Sequence, residues 1–234
     1  MKVSYQIMEF MLDTANLEEI KKYNDIISLA GVTSNPSILK KEGKIDFYAH
    51  MKEIRKIIGN EKSLHVQVVA DDFDGIMKDA KAILDNIDKD VYVKVPVSEQ
   101  GLKAIKALKA DDVNITATAI YTKFQAYIAI AAGADYIAPY FNRMENQNID
   151  PRASITEMAK EIERTNSKTK VLAASFKNIG QVNASLECGA QSATMGVDIL
   201  QQALSMPAIG QAVADFRADW EAVHGTGVKV SDLQ

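Results

Sequence analysis

Short runs of β-branched and other apolar residues alternate along the chain with longer segments in which apolar positions recur every three or four residues. The runs are Ile7 to Leu12, Gly31 to Thr33, Leu64 to Val69, Val91 to Val95, Val113 to Thr118, Tyr136 to Phe141, Lys170 to Ser175 and Ser192 to Met195. Several are nearly continuous in apolar residues, as strands covered on both faces are. Between them, segments such as LEEIKKYNDIISLA, FDGIMKDAKAILDNI, SEQGLKAIKALKA and ASITEMAKEIERT set charges opposite an apolar stripe, the pattern of outer helices. Strict alternation of the two kinds of segment predicts parallel strands joined by crossover helices.

Eight such units in 234 residues match the roughly 200 to 250 residues of a (β/α)8 TIM barrel. The expected fold is therefore α/β, one barrel domain across residues 1–234. Punctuation agrees: Asp72, Ser98 and Thr122 are candidate helix starts, and Gly31, Gly133 and Gly189 stand where a helix must stop before a strand. Beyond the eighth run, Pro207 opens a further helical segment, so an additional C-terminal helix is expected over about 207–224. Phe216, Trp220 and Val223 fall at spacings of four and three and form an apolar stripe. Either the chain's own barrel or a neighbouring subunit must cover it.

Composition narrows the function. With 27 basic and 31 acidic residues the formal net charge is -4, which offers no broad cationic face to nucleic acid or to a membrane surface. Cys188 is the single cysteine, so no intramolecular disulfide forms and a reducing cytoplasm is the expected location. No long apolar segment suggests a signal core or a membrane span. His50, His65 and His224 are too scattered for a metal cluster, and no metal or other cofactor is expected. Met8, Met11 and Met195 read as core filling, and the run Lys40 to Lys44 as a solvated loop that follows GVTSNPS and could border the site.

Chemistry gathers where the strands end. Asp13, Thr33 with Asn35, Gln67, Lys94, Thr116 with Thr118, Tyr140 with Asn142 and Arg143, and Ser175 with Lys177 all lie at or near the C-terminal ends of their runs, where barrel active sites are built. Lys94 stands apart, because VYVKVP puts a flexible cation between valines. Burial there disfavours the ammonium and favours the neutral, nucleophilic amine that attacks a ketone to form a Schiff base. A core ion pair with Asp13 is the structural alternative. Asp13, Gln67, Thr118 and Tyr140 can supply proton transfer, and Arg143, Ser175 and Lys177 can hold a phosphate.

At these residues the sequence resembles the transaldolase family, in particular its short members, which include bacterial fructose-6-phosphate aldolases. MLDTAN (11–16), GVTSNPSI (31–38), HVQVVA (65–70), VYVKVPVSEQGLKAI (91–105), TATAIYT (116–122), APYFNR (138–143) and AASFKNI (173–179) carry the likeness. The resemblance implies that Lys94 is the Schiff-base lysine and that Asp13 is an acid/base group that also binds a hydroxyl. Thr33 and Asn35 would shape the site, and Gln67, Thr118 and Tyr140 would hold and activate water. It further implies that Arg143, Ser175 and Lys177 bind the phosphate. Lys177 stands where the family also uses arginine, which weakens planar recognition of the phosphate. Gln67 and Tyr140 occupy positions where transaldolases usually carry glutamate and phenylalanine, so the likeness favours cleavage of fructose 6-phosphate to dihydroxyacetone and glyceraldehyde 3-phosphate. A transaldolase that passes the dihydroxyacetone unit between sedoheptulose 7-phosphate and glyceraldehyde 3-phosphate is the alternative. A ring-like homo-oligomer, decamer or pentamer, is implied as well. Two readings outside this chemistry make distinct predictions: a non-catalytic sugar-phosphate sensor would leave Lys94 unmodified by borohydride, and a proton-abstracting isomerase would survive Lys94→Ala.

Overall fold

The computed structural model describes residues 8–233. Eight parallel strands close into a barrel in sequence order: β1 (Glu9–Asp13), β2 (Leu29–Thr33), β3 (Ser63–Gln67), β4 (Tyr92–Pro96), β5 (Ile115–Ile120), β6 (Tyr136–Pro139), β7 (Lys170–Ala173) and β8 (Ser192–Met195). The helices are α1 (Leu17–Ile26), α2 (Pro36–Leu39), α3 (Phe47–Ile58), α4 (Phe73–Asn86), α5 (Glu99–Ala110), α6 (Lys123–Ala131), α7 (Phe141–Asn146), α8 (Pro151–Arg164), α9 (Ile179–Glu187), α10 (Val197–Leu204) and α11 (Pro207–His224). The expected (β/α)8 barrel with an added C-terminal helix is the observed architecture. Ile7, placed in the first expected run, lies outside the described residues.

Local chemistry accounts for most boundaries. Asp72, Ser98 and Thr122 cap α4, α5 and α6 by accepting from the backbone N–H groups of Gly75, Gly101 and Gln125. Gly133 and Gly189 end helices with φ of 86° and 98°, angles that glycine adopts without a Cβ penalty. Gly31 is a correction. It sits inside β2, and a Cβ there would lie 2.1 Å from Ser63 Oγ and 2.5 Å from Ser63 O, so glycine lets two strands approach. Strand ends also moved. β5 runs on to Ile120 through a bulge at Ala119, whose φ is 58°, and β6 stops at Pro139 because α7 begins at once. The lysines at 40 and 41 are not in an open loop but in a short 3-10 turn, Lys40–Glu42, that continues α2.

Apolar side chains fill two regions. The larger core lies between the strands and the helices and includes Leu12, Val32, Leu64, Val66, Val93, Val95, Ile115 and Ile137. The smaller lies within the barrel, where Met11, Tyr136 and Leu172 pack together against Tyr92. Met11 and Met195 are buried as expected, but Met8 is 48% exposed.

Polar residues close the N-terminal end of the barrel. Lys170 pairs with Glu9, and Glu9 accepts a 2.8 Å hydrogen bond from Tyr136 Oη. Above them His65 is fully buried, stacked on Tyr92 with ring centroids 4.7 Å apart. Its Nδ1 lies 2.7 Å from Thr116 Oγ1 and its Nε2 2.9 Å from Ser63 Oγ. Burial and then the charge of Lys94 hold this imidazole's pKa well below its ordinary value of 6.5.

The C-terminal helix α11 has no buried residue. Val213, Phe216 and Val223 are 62%, 72% and 78% exposed, so the chain's own barrel does not cover the apolar stripe. Trp220 is half-buried under its own tail and donates to Val228 O at 2.9 Å. An apolar groove of about 480 Å³, lined by Phe10, Ile27, Ile179, Val182, Leu186 and Leu200 among others, lies away from Lys94. No helix among the described residues is long and apolar enough to cross a membrane.

Candidate active site

Lys94 is the third residue of β4, and the alternation of a strand turns it into the barrel while Val93 and Val95 join the outer core. The residue is 5% exposed. Its Nζ donates to the carbonyl of Ser34 at 2.9 Å, a neutral acceptor. Burial lowers the Lys94 pKa from its ordinary value, and the nearby carboxylate of Asp13 partly offsets this. Asp13 ends β1. Its Oδ1 accepts a 2.6 Å hydrogen bond from Thr33 Oγ1, which also lies 2.7 Å from Thr194 Oγ1. Burial raises the Asp13 pKa against the lowering effects of Lys94, Thr33, Lys41 and Arg143. The two groups therefore approach the neutral pair from both sides, and the hydrogen bonds of each go elsewhere. This is not the tight core ion pair considered from the sequence.

The opposite side of the mouth is built by β5, β6 and α7. The bulge at Ala119 inserts one extra residue between the Ala117↔Ile137 and Ile120↔Pro139 pairs. Thr118, fully buried, meets Tyr140 with 2.9 Å between Oγ1 and Oη. Burial raises the Tyr140 pKa, with Thr118 and Arg143 acting to lower it, so the phenol stays protonated at neutral pH. The Arg143 guanidinium lies 4.7 Å from the centroid of the Tyr140 ring. Gln67, the last residue of β3 and in register with Lys94, has a buried Oε1 with no partner among the described residues. That carbonyl can accept a hydrogen bond from a ligand or from water.

These geometries constitute an amine of reduced basicity, an acid of raised pKa and a neutral phenol at one barrel mouth. The profile of the family described as transaldolase/fructose-6-phosphate aldolase matches residues 10–233. The chain belongs to that family. A Streptococcus pneumoniae protein named "Probable fructose-6-phosphate aldolase" is 54% identical over 219 residues, covering 94% of this chain and 99% of that protein. A Methanococcus maripaludis protein named "Probable transaldolase" is 36% identical over 215 residues, covering 92% of this chain and 98% of its own length.

Within this transaldolase/fructose-6-phosphate aldolase barrel the expected site residues divide into two sets. Asp13, Thr33 and Gln67 end their strands, Tyr140 directly follows β6, and Lys94 and Thr118 lie two residues before the ends of β4 and β5. Asn35 is there too, but its Oδ1 caps α2 by accepting from the N–H groups of Ser37 and Ile38, which leaves its amide donors for a ligand. Arg143 projects from α7 and is exposed. Ser175 follows β7 with a φ of 62°, and its carbonyl accepts from Asn142 N at 2.9 Å, so the Ser175 and Arg143 loops touch. Lys177 is exposed and gives only its backbone N–H to Gln181 Oε1. Two rim candidates are structural. Thr116 lies deeper, bonded to His65, and Asn142 Oδ1 accepts from Gln181 Nε2. Sequence reasoning missed Ser34, Tyr121 and Thr194, whereas Lys41, in the run expected to border the site, does act on Asp13. Ser34 lay inside the GVTSNPS motif and Tyr121 inside TATAIYT, whereas Thr194 carried no signal.

Proposed function

We propose that the protein is a metal-independent fructose-6-phosphate aldolase that works through a Schiff base at Lys94. The observation that carries this reading is the buried Lys94 amine, 2.9 Å from a carbonyl and lowered in pKa by burial. A lysine kept partly neutral attacks the C2 ketone, and loss of water gives an iminium that draws electrons from the C3–C4 bond. As that bond breaks, the C4 hydroxyl proton passes to a base, glyceraldehyde 3-phosphate departs, and an enamine remains on Lys94. Protonation at C3 and hydrolysis then release dihydroxyacetone and restore the amine.

Asp13 has the pKa direction suited to exchanging a proton with a hydroxyl or the iminium water. Tyr140, Thr118 and the open acceptor of Gln67 form a polar wall suited to one water molecule that relays protons and hydrolyses the imine. Thr33 fixes Asp13, and Asn35 offers its amide to a substrate hydroxyl. Arg143, Ser175 and Lys177 would hold the phosphate, helped by the N-terminal end of α9, which follows at once. The relative at 54% identity bears the aldolase name. The transaldolase reading keeps every step to the enamine and replaces hydrolysis by attack on a second aldehyde, and the relative at 36% bears that name.

Borohydride reduction with fructose 6-phosphate should add the three-carbon unit to Lys94, located by peptide mass. An adduct on another lysine, or none, would remove the mechanism. Adding erythrose 4-phosphate separates the two activities: sedoheptulose 7-phosphate outpacing free dihydroxyacetone would favour transfer. The uncovered stripe of α11 supports a homo-oligomer in which this helix lies on a neighbouring copy, and the lone cysteine supports a cytoplasmic location.

A further inference from the structure

Tyr121 follows β5 directly and has no part in the chemistry above, yet two contacts tie it to both ends of the site. Arg143 Nη1 donates to Tyr121 Oη at 3.4 Å. The Tyr121 ring meets the Tyr140 ring edge to face, with centroids 5.7 Å apart and planes at 80°, a favourable aromatic arrangement. The Arg143 guanidinium lies over that same Tyr140 ring at 4.7 Å, within cation–π range. Tyr121 is itself anchored, because its N–H and that of Thr122 both donate to Gln125 Oε1, at 2.9 and 3.0 Å, in the capping box of α6. An exposed arginine is otherwise free to sample many rotamers, so a fixed hydroxyl beside it restricts where the guanidinium waits.

We propose that Tyr121 is a positioning residue that holds Arg143 against Tyr140, so that phosphate recognition and the proton-relaying phenol share one rigid triad. The claim rests on the aldolase reading for its substrate and on geometry for its contacts. A phosphate that engages Arg143 competes for the guanidinium that faces Tyr140. Phosphate occupancy is thereby coupled to the phenol's acidity, which Thr118, Arg143, Asp13 and Tyr121 together face and set. Removing the guanidinium from the ring withdraws a positive charge, which moves the phenol's pKa up. Substrates with and without a phosphate should therefore meet a differently tuned proton relay.

Tyr121→Phe deletes the hydroxyl and keeps the ring, whereas Tyr121→Leu deletes both. For Tyr121→Phe, the KM for glyceraldehyde 3-phosphate in synthesis with dihydroxyacetone should rise roughly tenfold, the scale of one hydrogen bond to a charged group. The KM for unphosphorylated glyceraldehyde should stay unchanged, while loosening of the guanidinium from the Tyr140 ring should move the basic limb of the kcat profile to higher pH with either aldehyde. Tyr121→Leu should in addition lower kcat with either aldehyde and move that limb further. Calorimetric titration with inorganic phosphate supplies a readout that needs no turnover, and Tyr121→Phe should weaken that binding by a similar factor. Unchanged phosphate affinity, or equal KM changes for both aldehydes, would overturn the proposal. A wild-type enzyme that binds phosphate but forms no Lys94 adduct would instead overturn the aldolase reading, and the phosphate titration would still decide the role of Tyr121.

Discussion

Lys94 and Asp13 each favour the other's charged form while burial opposes both, which makes their pH behaviour predictable. Asp13 raises the Lys94 pKa while burial lowers it. Asp13→Asn removes the opposing charge, so the acid limb of borohydride trapping should move to lower pH, measured as trapping rate against pH; a shift upward would contradict the electrostatics. Lys94→Met keeps the volume and deletes the nucleophile, and cleavage should fall by about a thousandfold or more, with no trapped adduct. Tyr140→Phe should preserve trapping and lower kcat by about a hundredfold, the usual scale of one positioned proton carrier. Lys94 was legible in the sequence because a cation between valines contradicts its surroundings. Its acceptor Ser34 O, just after β2, and the link from Thr194 in β8 through Thr33 to Asp13 were not, since both depend on the register of the closed barrel, which no local pattern encodes. Lys177 shows the converse: a residue type suited to phosphate was visible, but its exposure was not.

Elements position the site through a few close approaches. A Cβ on Gly101 in α5 would lie 1.9 Å from the Pro96 carbonyl at the end of β4, the strand that carries Lys94. Gly101→Ala should push helix from strand and cost about 1–3 kcal/mol in chemical denaturation, with kcat reduced through the displaced lysine. His65 bears on acid stability. Its folded pKa is below 6.5, so below that value the unfolded chain binds a proton that the folded chain does not, and stability falls as pH falls. His65→Phe should flatten that acid limb of a denaturation-against-pH curve. The eight strands and the long helices were readable from periodicity alone. The four-residue α2 and the six-residue α7 were not, because a helix needs about two turns to display its period. The bulge at Ala119 was silent too, since neither glycine nor asparagine marks its left-handed backbone.

At the scale of the molecule, α11 carries an apolar face with no cover among the described residues. Phe216→Asp should lower the mass measured by sedimentation while leaving the barrel's circular dichroism and Lys94 trapping intact; an unchanged mass would dissociate this helix from assembly. The sequence presented the stripe and offered two covers, and the described part of the barrel leaves it open.

The salt-linked tyrosine floor beneath His65 closes the end of the barrel opposite Lys94. With its lower end stoppered, the barrel is a blind well, and both halves of a split sugar must leave through the doorway by which the whole one came in. On the Schiff-base mechanism proposed above, the half bonded to Lys94 goes second. For that interval the doorway stands open to water and to any new aldehyde alike, and which of them arrives first sets whether the bound fragment is discarded or handed on.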